Sequence, residues 1–272
     1  IYEARHSSTA VYQVLHNGTP AVLKAPVTEK GKRAVAIELA NLEKVSGTKG
    51  VFPEVANMFF ESVSINTSLG RCQGLLFQPF GLPFSNISTQ ENRRIIAIGA
   101  FVADSLLALH SSDYVHGDIS FNNIIYELGE KPSPTKPAPV LWAFPIDWAC
   151  VHSASSSAKP HISPTPLLTS RNLLSALVNQ TTPKLSPLDD AEALFSSLLY
   201  LLGDRGMLFE DRDVYEHLLA NKHIFWNMGT TTAKGYFLTP KSKIAELHPA
   251  YEAIRKEDAT ACLTALSKLK RK

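Results

Sequence analysis

The hydrophobic pattern of this chain changes its period near residue 80, and that change limits the folds open to it. Before residue 80, runs such as 10–15 and 21–24 are β-prone and mostly alternate, as in strands. Beyond Gly81 the apolar residues recur at helical spacing, most clearly in 94–110 and 189–202. We therefore expect an α+β protein, with residues 1–80 as a β-rich domain and residues 81–272 as a mainly helical one.

The first 80 residues also indicate the order of their elements. Asn17-Gly18 lies between two β-prone runs, which is the strongest short-range signal for a hairpin. Residues 33–45 carry an apolar stripe at helical spacing, and strand-like runs return around 58–60 and 75–77. The predicted order is strands, one helix, then strands.

Composition limits the partners and the compartment. The formal net charge of +2 provides no strong field for nucleic acid or an anionic membrane, so we expect neither as a partner. No run approaches the about 18 uninterrupted apolar residues that a membrane span needs. The three cysteines are widely spaced and form no Cys-x-x-Cys pair. This favours an intracellular compartment, cytoplasmic or nuclear, over a disulfide framework or a zinc site.

One segment, residues 114–126, carries a chemically specific pattern. It follows the long predicted helix, leads into a strand, and contains His116-Gly117-Asp118 and Asn123 in the spacing His-x-Asp-x-x-x-x-Asn. This is the spacing of the kinase catalytic loop. Asp118 would accept the proton of a substrate hydroxyl, and Asn123 would offer an amide oxygen to a magnesium ion. A turn rich in Asp and Asn would give the same pattern, and this segment alone leaves both interpretations open.

Three further polar residues occur in the order that a kinase requires. Lys24 ends a strand-like run, Ala-Val-Leu-Lys, similar to the strand whose lysine binds the α- and β-phosphates of ATP. Glu38 lies 14 residues later on the predicted helix, where it would pair with that lysine. Asp147 follows an apolar strand end, where kinases place an aspartate on magnesium. Each residue alone has an ordinary explanation, such as a surface charge or a turn cap, and their shared order carries the argument.

The chain therefore resembles eukaryotic-type protein kinases and, more narrowly, the fungal-type protein kinase family. Residues 75–83 are similar to that family's strand and hinge, residues 116–120 to its catalytic loop, and residues 188–195 to its Asp-Asp-Leu-Glu-Ser-Leu-Phe helix. Trp226 with Gly229 and the pair at 233–234 resemble a later stretch. The resemblance implies a two-lobed protein-kinase-like fold, ATP and Mg²⁺ as cofactors, and a serine/threonine kinase acting on a protein substrate.

The resemblance also implies roles for individual residues. Phe77 would be the gatekeeper beside the adenine pocket, and Asp190 would brace the catalytic loop. His116 would stack with Leu42 and Trp148 in the core between the lobes. The catalytic residues would be Asp118, Lys24 and Glu38, and the metal ligands Asn123 and Asp147. The nucleotide-binding residues that it implies are Val11, Val22, Lys24, Phe77, Gln78, Phe80 and Ile125.

Three positions depart from the kinase pattern. The phosphate-covering loop, residues 4–11, contains no glycine, although glycine lets the backbone approach phosphates closely. Gly117 stands where kinases commonly have the arginine that receives an activation-loop phosphate, so we expect no control of that kind. Arg171 lies near the place of an expected glutamate, which bears on how a substrate docks.

Two other functions remain open from the sequence. His116-Gly117-Asp118 and Ile146-Asp147-Trp148 are closer to small-molecule kinases of the aminoglycoside or choline type, whereas the length of 147–171 favours a protein kinase. A non-catalytic pseudokinase would explain the missing glycines but not the five intact polar positions. We also expect residues 127–139, with four prolines, to form an exposed insertion, because proline cannot donate ladder hydrogen bonds.

Overall fold

The computed structural model describes residues 8–54, 58–131, 138–156, 168–203, 215–227 and 245–271. The strands are β1 (Thr9–His16), β2 (Thr19–Pro26), β3 (Phe59–Thr67), β4 (Gly70–Gln78), β5 (Leu82–Pro83), β6 (Tyr114–Val115), β7 (Ile124–Leu128), β8 (Val140–Pro145) and β9 (His152–Ser153). The helices are α1 (Glu29–Val45), α2 (Asn92–Ser111), α3 (Arg171–Val178), α4 (Pro187–Leu201), α5 (Tyr215–Trp226), α6 (His248–Arg255) and α7 (Ala259–Ser267). The predicted α+β class is confirmed, with a β-rich N-terminal region and a helical C-terminal part.

The N-terminal region is an antiparallel sheet in the order β1-β2-β4-β3, with α1 inserted between β2 and β3. The predicted hairpin is confirmed: Asn17 and Gly18 both have positive φ, 50° and 78°, as a two-residue type I′ turn requires. The predicted helix is confirmed as α1. It begins earlier than the apolar stripe because the Thr28 hydroxyl accepts a hydrogen bond from the Gly31 amide at 3.0 Å and caps it.

The C-terminal part is organised around α2 and α4, which correspond to the two predicted helices. Helix α2 packs against α4, α7 and β8, and α4 is buried along nearly its whole length. By length and composition α2 would also be able to cross a membrane, with a mean hydropathy of 1.4, but 56% of that stretch is buried inside the protein. Buried core helices meet the same criterion, so this finding is weak evidence for a membrane span.

Two small sheets, formed by strands that follow the N-terminal sheet in the chain, position the central loops. One has the order β5-β7-β8, and the other pairs β6 with β9. The predicted boundary at residue 80 falls between β4 and β5. The predicted insertion joins β7 to β8, and its ends are closed by a hydrogen bond from the Gly129 amide to the Pro139 carbonyl at 2.9 Å. Residues 132–137 of that insertion lie outside the described residues.

Candidate active site

Lys24, on β2, lies between two carboxylates from different parts of the chain. Its Nζ is 2.7 Å from Oε2 of Glu38 and 3.1 Å from Oδ1 of Asp147. Burial alone would lower the pKa of Lys24, but the two carboxylates outweigh burial and hold that pKa above its usual value. The ammonium group therefore stays charged.

Glu38 connects α1 to two other elements. Besides accepting from Lys24, it accepts a hydrogen bond from the backbone amide of Trp148 through Oε1 at 3.2 Å. Its carboxylate is buried, and burial raises its pKa, while the ammonium of Lys24 opposes this. A buried carboxylate needs such partners, so Glu38 ties α1 to both β2 and the segment after β8.

Asp147 follows β8 with an unusual backbone conformation. Its φ of 64° and ψ of 71° lie in the left-handed region, which is costly for most residues other than glycine but is adopted more readily by aspartate. Its side chain is 37% exposed. The backbone beyond it is held by Asn41 of α1, whose Nδ2 donates to the Trp148 carbonyl at 2.9 Å. The sequence did not single out Asn41, because nothing local distinguishes it from any other polar helix residue.

Asp118 and Asn123 form the second half of the site. Nδ2 of Asn123 donates to both the backbone carbonyl and Oδ2 of Asp118, each at 2.9 Å. The Ile146 amide donates to the Asn123 carbonyl at 2.8 Å, which places Asn123 beside the residue that precedes Asp147. The five predicted polar residues thus form two clusters joined by this backbone hydrogen bond.

Asp190, buried at the start of α4, holds the backbone of the predicted catalytic loop. It accepts hydrogen bonds from the amides of His116 at 2.8 Å and Gly117 at 2.9 Å, and its Oδ2 lies 2.9 Å from Nε2 of His110. Burial would raise the pKa of Asp190, but these interactions, with His110 foremost, lower it. Burial lowers the pKa of His116, whose ring lies 4.9 Å from that of Trp148.

Gly117 occupies a position that has no room for a side chain. Its φ is +79°, and an added Cβ would lie 3.0 Å from the Cys150 carbonyl oxygen and 3.2 Å from Cδ1 of Leu185. Glycine is therefore required by the backbone conformation and by the close approach of the segment that follows Asp147. This gives a structural reason for glycine where the resemblance led us to expect arginine.

The residues expected around adenine lie along one path through the fold. Val22 and Phe77 are partners on adjacent strands β2 and β4, and residues 78–83 then lead into β5, where Pro83 pairs with Ile125 of β7. Phe80 is 39% exposed in this connection. Gln78 is the last residue of β4. Val11 lies on β1, where it pairs with Lys24 of β2, and its side chain is 38% exposed. Residues 4–7 of the expected phosphate-covering loop, together with Gly229 and 233–234, lie outside the described residues.

The available ligands fit a magnesium ion better than a closed metal cage. Within the described residues, no group of three or more His, Cys, Asp or Glu side chains is placed to hold a metal. Asp147 offers a partly exposed carboxylate, and Asn123, whose backbone carbonyl accepts from the Ile146 amide, offers a side-chain amide oxygen. Magnesium characteristically takes one or two protein carboxylates and completes its coordination with phosphate oxygens and water. These two residues thus suit a magnesium ion that arrives with a nucleotide.

Neither a protein-family model nor a curated protein matches this chain.

Proposed function

We propose that this protein is an ATP-dependent phosphotransferase with a two-lobed, protein-kinase-like fold, acting on serine or threonine hydroxyls of a protein. The observation that carries the proposal is the largely buried Lys24 ammonium between Glu38 and Asp147, three side chains from separate elements. Burying charge is costly unless it is paired, and a paired lysine beside a partly exposed aspartate is suited to binding phosphate. The resemblance of the sequence motifs to protein kinases supports the same function.

Each residue has a distinct role in this proposal. Lys24 binds the α- and β-phosphates, and Glu38 keeps its ammonium in place. Asp147 and Asn123 would hold magnesium, which, when bound, neutralises charge on the phosphates. Asp118 accepts the proton of the acceptor hydroxyl, and the Asn123 amide, bonded to its Oδ2, fixes the orientation of its carboxylate. Catalysis then comes mainly from positioning and charge stabilisation.

The path from β4 to β7 would form the adenine side of the site. Val22 and Ile125 would enclose the ring, and the backbone of Gln78 and Phe80 would bind its edge. Val11 would cover the nucleotide from β1. Phe77 would limit the depth of the pocket.

Binding of nucleotide and transfer of phosphate test the proposal in sequence. Mg-ATP should raise the melting temperature, ATP with excess EDTA should raise it much less, and the protein should then phosphorylate myelin basic protein. Asp147→Asn should abolish the magnesium-dependent shift and transfer together. Glu127→Gln is the matched control, because it also removes one negative charge but at an exposed residue of β7. It should change neither the magnesium-dependent shift nor the transfer.

The acceptor distinguishes the competing functions. Parallel assays with choline and with an aminoglycoside test the small-molecule kinase that His116-Gly117-Asp118 also suits, and transfer to these alone would replace the protein-kinase proposal. A magnesium-dependent shift without transfer to any acceptor would indicate a pseudokinase. If Mg-ATP caused no shift at all, the phosphotransferase proposal would be wrong.

A further inference from the structure

The first turn of α1 packs directly against the start of β1. The backbone carbonyl of Ser8, the residue before β1, accepts a hydrogen bond from the Val27 amide at 3.0 Å. The Thr28 hydroxyl lies 3.4 Å from the same carbonyl oxygen, and its own oxygen caps α1 by accepting from the Gly31 amide. One carbonyl of the expected phosphate-covering loop is therefore held by the residues that lead into α1.

Gly31 makes this contact possible because it has no side chain. A Cβ added at Gly31 would overlap the Ser8 carbonyl oxygen and lie 2.9 Å from the Ser8 carbonyl carbon. Both are backbone atoms, so the overlap could be relieved only by moving one segment away from the other. Glycine is otherwise a poor helix former. The close approach of α1 to Ser8 gives a structural reason for glycine at this position.

Gly31 lies on the same face of α1 as Glu38. The buried residues of this helix include Gly31, Val35 and Glu38, and spacings of four and three residues place them on one side. At 1.5 Å per residue, Gly31 and Glu38 are about 10 Å apart along this face. The same helix thus meets Ser8 at its first turn and the Lys24 ammonium two turns later.

Strand β1 connects these two contacts from the other side. Its first residue, Thr9, follows Ser8, and Val11 pairs with Lys24 of β2. Val11 is the residue proposed to cover the nucleotide. A shift of Ser8 relative to α1 would therefore move the start of β1, and with it this cover, relative to the pair of Lys24 and Glu38.

We propose that Gly31 and Thr28 are positioning residues of the nucleotide site, which seat the start of β1 on α1 and so set the place of Val11 relative to Lys24. This inference rests on the proposed function. Residues 8–11 contain no glycine of their own, and the glycine that lets this segment pack closely lies on α1 instead. Separating α1 from Ser8 should weaken nucleotide binding and leave binding of the protein acceptor unchanged.

Gly31→Ala tests the contact, because the new Cβ forces α1 and Ser8 apart. The dissociation constant of Mg-ATP, measured on the folded protein well below its melting temperature, should rise about tenfold or more, which corresponds to about 1.4 kcal/mol. The KM for Mg-ATP should rise with it, while the KM for myelin basic protein at saturating Mg-ATP stays unchanged. A role confined to stability would lower the melting temperature and leave both constants of the folded protein as they are.

Gly47→Ala is the matched control for the glycine. This residue lies just beyond α1, and a Cβ added there would meet no described atom within 4 Å. The variant should bind Mg-ATP as the wild-type protein does.

Thr28 provides a second test that adds no atom to the contact. Thr28→Val keeps the shape of the side chain but removes the hydroxyl, and it should raise the dissociation constant of Mg-ATP several-fold. Thr28→Ser keeps the hydroxyl and should restore wild-type affinity. Asp258→Ala removes a side-chain cap of the same kind from α7, a bond to the Ala261 amide at 2.8 Å, and so controls for the loss of a cap alone.

The outcomes separate this inference from the proposed function. Unchanged affinity for Mg-ATP in both Thr28→Val and a folded Gly31→Ala, with wild-type binding intact, would overturn the inference alone. If Gly31→Ala did not fold, Thr28→Val would decide by the same measurement. Equal losses of affinity in Thr28→Val and Asp258→Ala would assign the effect to helix capping and would also overturn it. Absence of Mg-ATP binding by the wild-type protein would overturn the proposed function and this inference with it.

Discussion

Asp118 and Asp147 lie in one region but have different partners, and this difference predicts different losses. Asp147 contacts the Lys24 ammonium, whereas Asp118 is bonded by the neutral amide of Asn123. Asp118→Asn should therefore leave the affinity for Mg-ATP within about threefold while lowering single-turnover transfer by at least about 10²-fold, as for a group that acts on the hydroxyl in the transition state. Nucleotide titration and rapid-quench kinetics measure the two quantities.

The alternative for Asp118 is that it only caps a turn. In that case Asp118→Asn would lower the melting temperature, and activity would fall only with the unfolded fraction. Unchanged turnover in Asp118→Asn would remove it as the catalytic base.

Gly117 provides a test of backbone geometry next to the proposed base. Gly117→Ala adds both a left-handed alanine and a contact of 3.0 Å with the Cys150 carbonyl, whereas Gly18→Ala, at φ +78°, adds only the former, with no atom within 4 Å of the new Cβ. The left-handed conformation alone costs an alanine roughly 1–2 kcal/mol. Gly117→Ala should therefore lower the free energy of unfolding by at least about 1 kcal/mol more than Gly18→Ala, measured by urea denaturation. Equal losses would show that the loop moves aside at little cost.

The residues that the sequence identified differ from those it missed in how far their partners lie along the chain. Asp118 and Asn123 were recognisable because the chemistry requires them at one short spacing. Asn41 was not, since it acquires its role from a tertiary partner, the Trp148 carbonyl. No local pattern marks such a residue as different from an ordinary helix polar group.

At the scale of elements, the contact of α5 with α4 contains a buried charge that lowers the stability of the folded protein. Lys222 is fully buried, the bond described for its Nζ is to Ser196 Oγ at 3.3 Å, and burial lowers its pKa to about 8, with Glu192 opposing. The unfolded chain then binds more protons than the folded protein between about pH 8 and the ordinary lysine value, so stability rises with pH across that window. Below pH 8 the cost is present in full.

Lys222→Met should therefore stabilise the protein, and most strongly near neutral pH. The expected gain in the free energy of unfolding at pH 7 is on the order of 2–3 kcal/mol, and it should shrink as the pH rises from 8 to 10. Melting temperatures across this range measure it, with Lys256→Met at an exposed site as the control. A loss of stability in Lys222→Met at pH 7 would show that the bond to Ser196 and the attraction of Glu192 outweigh burial.

Helices and strands were predicted correctly where they are long enough for their hydrophobic spacing to repeat. This holds for the hairpin and for α1, α2 and α4, each of which spans several turns or alternations, so that its apolar pattern could be recognised in the sequence. Strands β5, β6 and β9 are two residues each and carry no period, and they form because neighbouring segments offer partners. The pairing of β6 with β9 depends further on Asp113, whose Oδ2 accepts a hydrogen bond from the Ser153 hydroxyl at 2.6 Å.

For the whole molecule, the connection between the β-rich region and the helical part depends on one face of α1. Glu38 and Asn41, three residues apart and therefore on one side of the helix, bind the amide and the carbonyl of Trp148. The Trp148 ring in turn contacts the His116 ring in a tilted arrangement, and Leu42 of α1 belongs to the same hydrophobic core as Trp148. The position of Asp147 relative to Lys24 is thus set by contacts that cross between the two parts of the fold.

Asn41→Leu tests whether these crossing contacts govern the site, since leucine has the same branched outline but cannot donate. It leaves the buried Trp148 carbonyl without the Asn41 donor, which should cost roughly 1–3 kcal/mol of stability. Because Asp147 precedes Trp148, the rise in melting temperature with Mg-ATP should also become smaller, although Asn41 is not proposed to touch the nucleotide. Asn179→Leu, which removes hydrogen bonds made only within the turns of α3, is the control and should keep the full rise with Mg-ATP. If Asn41→Leu lowered stability but kept the whole nucleotide-dependent rise, α1 would hold the two parts together without setting the geometry of the phosphate site.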